Sequence, residues 1–261
     1  GGTSQIAVRT GANLILASEA FQLSSVGSGG QGGQGGGTFS NTSGNGGNGG
    51  QATGGTSRLL AQGGTITGNS VTIAALGLGG SAGDAGAVEL VNEGTSGVRG
   101  LGGSGAGGTA IMEVQEGSPG IITLGDTDMT ATGFNGNDDD IPTGLGGRIE
   151  ITDTSSDPAG LISLASLNAD AQGGAGSASG FFMSGNSGTT DVAGGFIVNV
   201  AGDAVFTFDA DGQLSVGGLI DIDTPQNFII THTNRAPGYD SIISGDDFTA
   251  RHITLKENLI I

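Results

Sequence analysis

Pairs of glycines stand directly in front of short runs in which apolar and polar residues alternate. Alternation with a period of two predicts a β-strand with one buried face, because successive side chains of a strand point to opposite sides. A strand that is introduced repeatedly by the same glycine signal is typical of stacked β architectures, which are built for length and surface. The pairs are Gly63-Gly64, Gly107-Gly108, Gly146-Gly147, Gly194-Gly195 and Gly217-Gly218.

A second apolar run follows these strands after a short turn. The turns contain Asn, Asp, Gly and Pro, which are residues that tight turns favour. No window of useful length has helical periodicity, and each glycine would cost a helix roughly 1 kcal/mol. The second runs are Val71–Ile73, Ile121–Leu124, Leu161–Leu164, Val205–Phe208 and Phe228–Thr231.

These patterns predict an all-β chain that forms one domain over residues 1–261, a parallel β-helix (β-solenoid) with glycine-rich loop excursions. The glycine pairs are irregularly spaced, which such a fold accepts because excursions leave the stack at its corners. A β-sandwich is the alternative. It would place Asn-Gly or Asp-Gly hairpin turns between consecutive strands, and such turns are sparse in this chain.

Glycine accounts for 57 of the 261 residues, whereas average usage is about 7%. The chain as a whole lacks the strict three-residue period and the proline content of collagen, since it has only 5 prolines. The richest stretch covers residues 27–56, where Gln, Asn, Ser and Thr fill most of the other positions. We expect this stretch to be an ordered excursion that packs along the side of the stack or against a neighbouring molecule.

The charge of the chain is strongly negative, with 25 acidic residues against 7 Lys and Arg and a net charge of −18. Phosphate binding needs the opposite sign, so this composition argues against a nucleic-acid partner. The absence of cysteine excludes disulfides and thiolate chemistry. No stretch approaches the ~20 apolar residues of a membrane helix. This composition predicts a secreted protein at a cell surface or in an extracellular matrix.

The form Gly-Gly-x-Ile-x-Ile, followed by a turn and a second strand, occurs in Gly146–Ile151 with Leu161–Leu164. In this form the chain resembles the glycine-rich β-helical shafts of bacterial filamentous haemagglutinin-like exoproteins and autotransporter-type adhesins. The resemblance covers about residues 57–231. It implies a secreted, adhesin-like fibre element at a bacterial surface or in a biofilm matrix.

Two acidic loops are candidate calcium sites, because calcium prefers several oxygen ligands from a flexible loop. Asp138, Asp139 and Asp140 form a carboxylate run that faintly resembles one calcium-binding nonapeptide repeat. Asp209 and Asp211 match the start of an EF-hand loop that lacks its third acid, its downstream Glu and its helices. The alternative is a solvated acidic loop for the first candidate and a tight turn for the second.

Signals for catalysis carry little information in this chain. Gly79–Gly83 fits the Gly-x-Ser-x-Gly form, but at this glycine content about one match is expected by chance. His232 and His252 have no nucleophile or orienting acid that the sequence identifies. A β-helical polysaccharide lyase would have to combine Asp138–Asp140 with Arg148, and the negative charge of the chain would repel an anionic glycan.

The sequence therefore predicts a nonenzymatic structural or adhesive fibre element, and the alternative is a calcium-dependent glycan-binding module with surface glycans as partners. The apolar run Ile253–Ile261 resembles a strand without a polar cap. Open ends of a stacked β structure present unpaired backbone groups. We expect such ends to associate with further copies end to end, or the chain to continue with more strands, with neither nucleic acid nor membrane insertion.

Overall fold

A computed structural model describes most of the chain. The described residues are 1–38, 42–87, 95–115, 120–136, 144–155, 160–173, 179–185, 188–209, 212–233, 243–244, 247–250 and 254–255. Within these ranges the secondary structure consists of β-strands without a helix. The strands are β1 (Thr3–Arg9), β2 (Asn13–Ser28), β3 (Ala52–Thr53), β4 (Thr56–Gln62), β5 (Thr65–Leu78), β6 (Gly105–Ala106), β7 (Thr109–Val114), β8 (Ile121–Thr130), β9 (Gly133–Phe134), β10 (Arg148–Asp153), β11 (Leu161–Ala171), β12 (Gly180–Gly185), β13 (Thr189–Val192), β14 (Phe196–Val200), β15 (Asp203–Asp209), β16 (Gln213–Val216), β17 (Leu219–Asp223), β18 (Phe228–Thr233), β19 (Ile243–Ser244), β20 (Asp247–Ala250) and β21 (Thr254–Leu255).

The strands form two large parallel sheets. The first has eight strands in the order β1-β4-β7-β10-β12-β15-β18-β21, and the second has eleven strands, including the series β2-β5-β8-β11-β14-β17-β20. The chain alternates between the two sheets, so we call the stretch from one strand of the first sheet to the next a pass. The first pass begins at β1, the second at β4 and the third at β7. The predicted all-β, parallel arrangement is confirmed, and a hairpin-built sandwich does not fit these parallel pairs.

The core is built from ladders of inward-facing apolar residues that keep their register from pass to pass. Each strand alternates buried and more exposed positions, as in β15, so the period of two in the sequence decides which side chains enter the core. Four phenylalanines, Phe181, Phe196, Phe206 and Phe228, pack as a cluster with ring centroids 5.4–6.1 Å apart. One ladder contains Ile6, Leu59, Met112, Ile151, Met183, Phe206, Ile230 and Leu255.

The two longest strands continue through local irregularities in their pairing. In β2 the register with β5 shifts between Leu16 and Ala20. In β5 the pairing with β8 skips Asn69 and Ser70. In both places pairing with the next pass resumes further along, so the chain stays in the sheet.

The glycine pairs mark places where one pass lies against the next. The pairs that precede β4, β7 and β10 stack on one another: a Cβ on Gly55 would lie 1.7 Å from the Gly2 oxygen, and a Cβ on Gly108 would lie 2.0 Å from the Gly55 oxygen. Glycine is therefore required for close backbone approach. Other pairs, such as Gly217-Gly218, precede strands of the second sheet, so the same sequence signal occurs at two different corners.

Beside the sheets, four glycine-rich segments form a separate layer, which we call the glycine bundle. Segments 1 (residues 29–37) and 2 (residues 43–52) belong to the first pass, and segments 3 (residues 79–87) and 4 (residues 95–104) belong to the second. Their backbone hydrogen bonds recur at every third residue: Gly29 donates to Leu78 at the end of β5, and Gly32 and Gly35 donate to Ser81 and Asp84 of segment 3. This period matches a three-residue-per-turn extended helix. The three-residue period is confined to these segments and was not among the sequence predictions.

The bundle is held together by backbone groups on several sides of each segment. Gly47 donates to the Gly33 oxygen at 2.7 Å, Gly83 to the Gly47 oxygen at 2.8 Å, and Gly46 to the Val98 oxygen at 2.9 Å. Segment 2 is thus bonded to segments 1, 3 and 4. A Cβ on Gly49 would lie 1.8 Å from the Gly80 oxygen, so only glycine allows the segments to approach this closely.

Candidate assembly surfaces

The first pass presents an open edge of both large sheets. Among the described residues, β1 pairs only with β4, and β2 pairs only with β5. A strand with a single neighbour leaves half of its backbone donors and acceptors available for pairing with another strand. The two strands have 7 and 16 residues, which makes this a long edge.

The apolar core reaches this open edge. Ile6, Leu14 and Phe21 of the first pass are only partly buried, although they pack against the core. Their ladder partners in the second pass, Leu59, Ile66 and Val71, are completely buried. The difference arises because the second pass is covered on both sides, whereas the first is covered on one. Covering the first pass with another pass would bury these side chains.

The face of the first pass is also electrically neutral. Residues 20–57 contain no charged side chain, and this uncharged stretch lies between Glu19 and Arg58. It includes segments 1 and 2 of the glycine bundle and most of β2. In a chain with a net charge of −18, a neutral face can meet another acidic molecule with less repulsion than the rest of the surface.

The outer side of the glycine bundle differs between its two edges. On the edge formed by segments 2 and 4, Asn45 and Asn48 accept hydrogen bonds through Oδ1 from the backbone N–H groups of Val98 and Leu101, at 2.8 and 2.9 Å. On segment 1, Gln31 is exposed and has no such bond to the described residues. Side chains therefore close one edge of the bundle and leave the edge at segment 1 open.

The outer face of the second sheet carries a polar ladder in its acidic half. Ser166 donates to Asp126 at 2.8 Å, and Asn168 donates to Asp128 at 3.2 Å. Further along, Asn199 lies in register between Asp170 and Asp223. A cleft of about 340 Å³ adjoins Asn199 and Asp223. These contacts lie on the surface and pair carboxylates with neutral donors, so they explain how acidic residues are accommodated along the stack.

Two arginines, Arg58 and Arg148, form ion pairs on the outer face of the first sheet. Arg58 donates to Glu113 at 2.6 Å across neighbouring passes. Arg148 donates to Glu150 and lies over the Phe182 ring at 3.5 Å from its centroid. Arg148, which the lyase alternative required as a catalytic base, is therefore occupied with structural contacts on the sheet surface.

One carboxyl group is buried inside the stack. Asp153 is 2% exposed and lies in an inward-facing ladder between Val114 and Gly185. Its Oδ1 accepts hydrogen bonds from the Ser155 backbone N–H at 2.8 Å and from the Ser155 hydroxyl at 2.5 Å, while Oδ2 has no partner among the described residues. Burial raises the pKa of Asp153, and the bonds from Ser155 oppose that rise. Asp153 therefore lies in the core of the described structure and not in a surface cleft.

The sequence-predicted metal ligands are only partly within the described residues. Asp138, Asp139, Asp140 and Asp211 lie outside them. Asp209 ends β15, and its carbonyl accepts a hydrogen bond from the Gly212 N–H at 2.9 Å. In the described part of the chain, no three His, Asp or Glu side chains come together in a group that could hold a metal ion.

The two histidines lie in the last thirty residues of the chain. His232 lies in β18, in register with Phe208 of the preceding pass, and His252 lies outside the described residues. Sequence reasoning missed Asp153, because an acid after an alternating strand resembles an ordinary turn residue. It also missed the open first-pass face, for which the partner strand has to be known.

The comparisons with known proteins do not assign this chain to a family. No protein-family model, curated protein or solved structure matches it. Among the described residues, no helix is both long enough and apolar enough to cross a membrane.

Proposed function

We propose that this chain is a β-solenoid that serves as a nonenzymatic structural or adhesive element of a fibre, secreted to a bacterial surface or extracellular matrix. In this proposal the passes are the coils of the solenoid, and the fibre is extended at the open face of the first pass. The adhesive role and the location come from the resemblance to bacterial adhesin shafts and from the acidic, cysteine-free composition.

The observation that carries the proposal is the ladder from Ile6 to Ile230, which keeps one register through successive parallel passes. Such stacking makes stability a sum of contacts between neighbouring passes, so the structure can be lengthened without changing its design. A molecule of this kind provides length and surface. The buried position of Asp153 and the paired position of Arg148 agree with a role that needs no catalytic group.

The open face supports extension of the stack. Two unpaired strand edges and the partly exposed side chains of Ile6, Leu14 and Phe21 lie on the same pass. Pairing of edges and burial of apolar area both favour the addition of another β-layer. Terminal units of stacked repeat proteins usually have a polar outer face, whereas this face leaves Ile6, Leu14 and Phe21 partly exposed.

Electron microscopy of the native material, with antibodies against this chain, tests the proposal. We expect the antibodies to label fibres outside the cell. In solution, we expect the purified chain to form elongated species whose size in sedimentation increases with concentration. Labelled isolated globular particles, or turnover of a glycan by the purified chain, would contradict the proposal.

A matched pair of variants localises the contact. Ile6→Lys places a charge at the partly buried open end, and we expect it to return the chain to monomers. Ile15→Lys is the control, because Ile15 lies on the same pass but is 72% exposed; this variant should associate like the unmodified chain. Far-UV circular dichroism checks that both variants keep their β-structure.

A further inference from the structure

Several glycines of the first pass have no packing reason to be glycine within this molecule. Gly2, Gly30, Gly33 and Gly36 have no atom within 4 Å of the position that a Cβ would take, and their φ angles are in the ordinary range. Replacing such a glycine by alanine stabilises a protein by reducing the freedom of the unfolded chain. The first pass therefore retains glycine at positions where the isolated chain gains nothing from it.

Each of these glycines has an equivalent in the second pass where glycine is required. The register of β2 with β5 places Ser28 opposite Leu78, and the same offset places Gly30, Gly33 and Gly36 below the glycines of segment 3. There, a Cβ on Gly80 would lie 1.9 Å from the Gly30 oxygen, and a Cβ on Gly83 would lie 2.0 Å from the Gly33 oxygen. In the second pass, this row of glycines is needed because the preceding pass lies against it.

The backbone acceptors show the same relation between the two passes. The carbonyl oxygens of Ser81 and Asp84 accept hydrogen bonds from the N–H groups of Gly32 and Gly35 in the first pass, at 2.8 and 2.9 Å. The equivalent carbonyls of the first pass belong to Gln31 and Gln34. Among the described residues they have no donor. The open face of the bundle thus presents acceptors, at three-residue intervals, to donors that this molecule does not supply.

Because the open face of the bundle presents hydrogen-bond acceptors, its partner has to supply donors. Two first-pass faces brought together would oppose acceptor to acceptor, so a head-to-head pair of copies cannot form these bonds. The later passes of this chain, from β12 onward, contain no hydrogen-bonded glycine segment in their described residues. The described residues at the far end of another copy would therefore offer strands to the sheets but no partner to the glycine bundle.

From these observations we infer that the open face of the first pass binds a parallel β pass that carries its own excursion with glycine at every third residue. The partner's N–H groups bond the carbonyls of Gln31 and Gln34, and its carbonyls lie against Gly30, Gly33 and Gly36. Glycine is needed at the partner's donor positions for the same reason as at Gly29, Gly32 and Gly35, where a Cβ would lie 2.6 Å from a backbone nitrogen of the next pass. The neutral stretch of residues 20–57 lets the two excursions meet without charge repulsion. The inference rests on the proposed stacking of passes.

A chain extended by a duplicate of residues 1–53, joined in front of Gly1, tests the inference with a defined probe. Hydrogen exchange is measured on the extended and the unmodified chain. The added excursion contains copies of Gly29, Gly32 and Gly35. We expect the backbone amides of these copies to be protected from exchange, as we expect for the original Gly29, Gly32 and Gly35 in the unmodified chain. The edge amides of the original β1 and β2 should also gain protection.

Gly33→Val in the original first pass is the decisive variant. In the unmodified chain its side chain enters open space, so exchange in the bundle should not change. In the extended chain the side chain meets the carbonyls of the added pass, and exchange across that contact should accelerate roughly tenfold to hundredfold. Gln34→Val is the matched control, because this position already carries an exposed side chain; it should have no effect in either chain.

The outcomes separate the inference from the proposed function. If the added strands become protected but Gly33→Val has no effect in the extended chain, the bundle does not bind a glycine-rich excursion and the inference is wrong, while stacking of passes stands. If neither the added strands nor the added excursion gains protection, both are wrong.

Discussion

The sheets and the glycine bundle are stabilised in different ways, the sheets by side chains and the bundle by the backbone. In the sheets, side chains fill the interior: Phe206 is almost completely buried and contacts three other phenylalanine rings. In the glycine bundle, the interior contains almost no side chains, and backbone groups bond each other at every third residue. The sheets depend on what the side chains are, whereas the bundle depends on their absence.

This difference has an energetic consequence. Ordering one backbone residue costs about 1–2 kcal/mol, and a hydrogen bond returns a net of about 0.5–1.5 kcal/mol. A bundle held almost entirely by backbone bonds is therefore near balance by itself. Burial of a large apolar side chain adds about 1.5–3 kcal/mol, which the sheets obtain on every pass. We expect the bundle to be ordered because the stacked sheets hold its ends in register.

The largest expected effect tests whether buried side chains stabilise the sheets. Phe206→Ala removes the ring that contacts Phe181, Phe196 and Phe228, and we expect it to lower the free energy of unfolding by about 3–5 kcal/mol. Urea unfolding followed by circular dichroism measures the change. Phe182→Ala is the control, because Phe182 lies on the outer face under Arg148. Equal losses for the two variants would show that the core does not carry the stability of the sheets.

The next largest effect tests whether close backbone contacts stabilise the glycine bundle. Gly49→Ala places a Cβ 1.8 Å from the Gly80 oxygen, and we expect a local destabilisation of about 1–3 kcal/mol. Hydrogen exchange should accelerate in the four glycine segments, whereas β7 to β15 should remain protected. The exposed neighbour Gln51, changed to Ala, serves as control. Equal acceleration in the sheets would mean that the two layers unfold as one unit.

A smaller effect concerns Asp153, whose carboxyl is buried inside the stack. Since burial raises the pKa of Asp153 above its unfolded value of about 3.9, the folded chain holds this proton more tightly than the unfolded chain. The contribution of Asp153 to stability is therefore greatest below the unfolded pKa and is lost as pH rises through the raised folded pKa.

We expect Asp153→Asn to remove this pH dependence and to raise the urea midpoint at pH 7 relative to the unmodified chain. Asp128→Asn is the control, because Asp128 pairs with Asn168 on the exposed face. An unchanged difference between wild type and Asp153→Asn from pH 3 to pH 8 would contradict the assignment.

The smallest expected effect is a difference in stability between alanine substitutions at two neighbouring glycines of segment 1. Gly33→Ala should stabilise the dilute chain by about 0.4–1 kcal/mol, because its Cβ enters open space. Gly32→Ala should destabilise it, because its Cβ would lie 2.0 Å from the Gly47 oxygen. Thermal unfolding of the two variants at matched concentration measures the difference. The same sign for both would mean that close approach does not explain the glycines of the bundle.

Much of the sheet structure could be predicted from local pattern. The predicted runs Ile121–Leu124, Leu161–Leu164 and Phe228–Thr231 begin β8, β11 and β18, because inward and outward positions follow directly from the pleat of a strand. The candidate sites could not be predicted in the same way. Asp209 ends strand β15, whereas Asp138, Asp139 and Asp140 lie outside the described residues. The open first-pass face depends on which strands have partners, and a local pattern does not contain that information.

The sequence by itself determined that this chain is β throughout its patterned regions and which side chains face inward, since both follow from a period of two between adjacent residues. Only the tertiary structure decided what the glycines do. The three-residue period of segment 1 becomes meaningful when Gly32 and Gly35 face Ser81 and Asp84 of the next pass. The physical reason is that a missing Cβ has an effect only where another backbone lies against it, and that neighbour comes from a distant part of the chain.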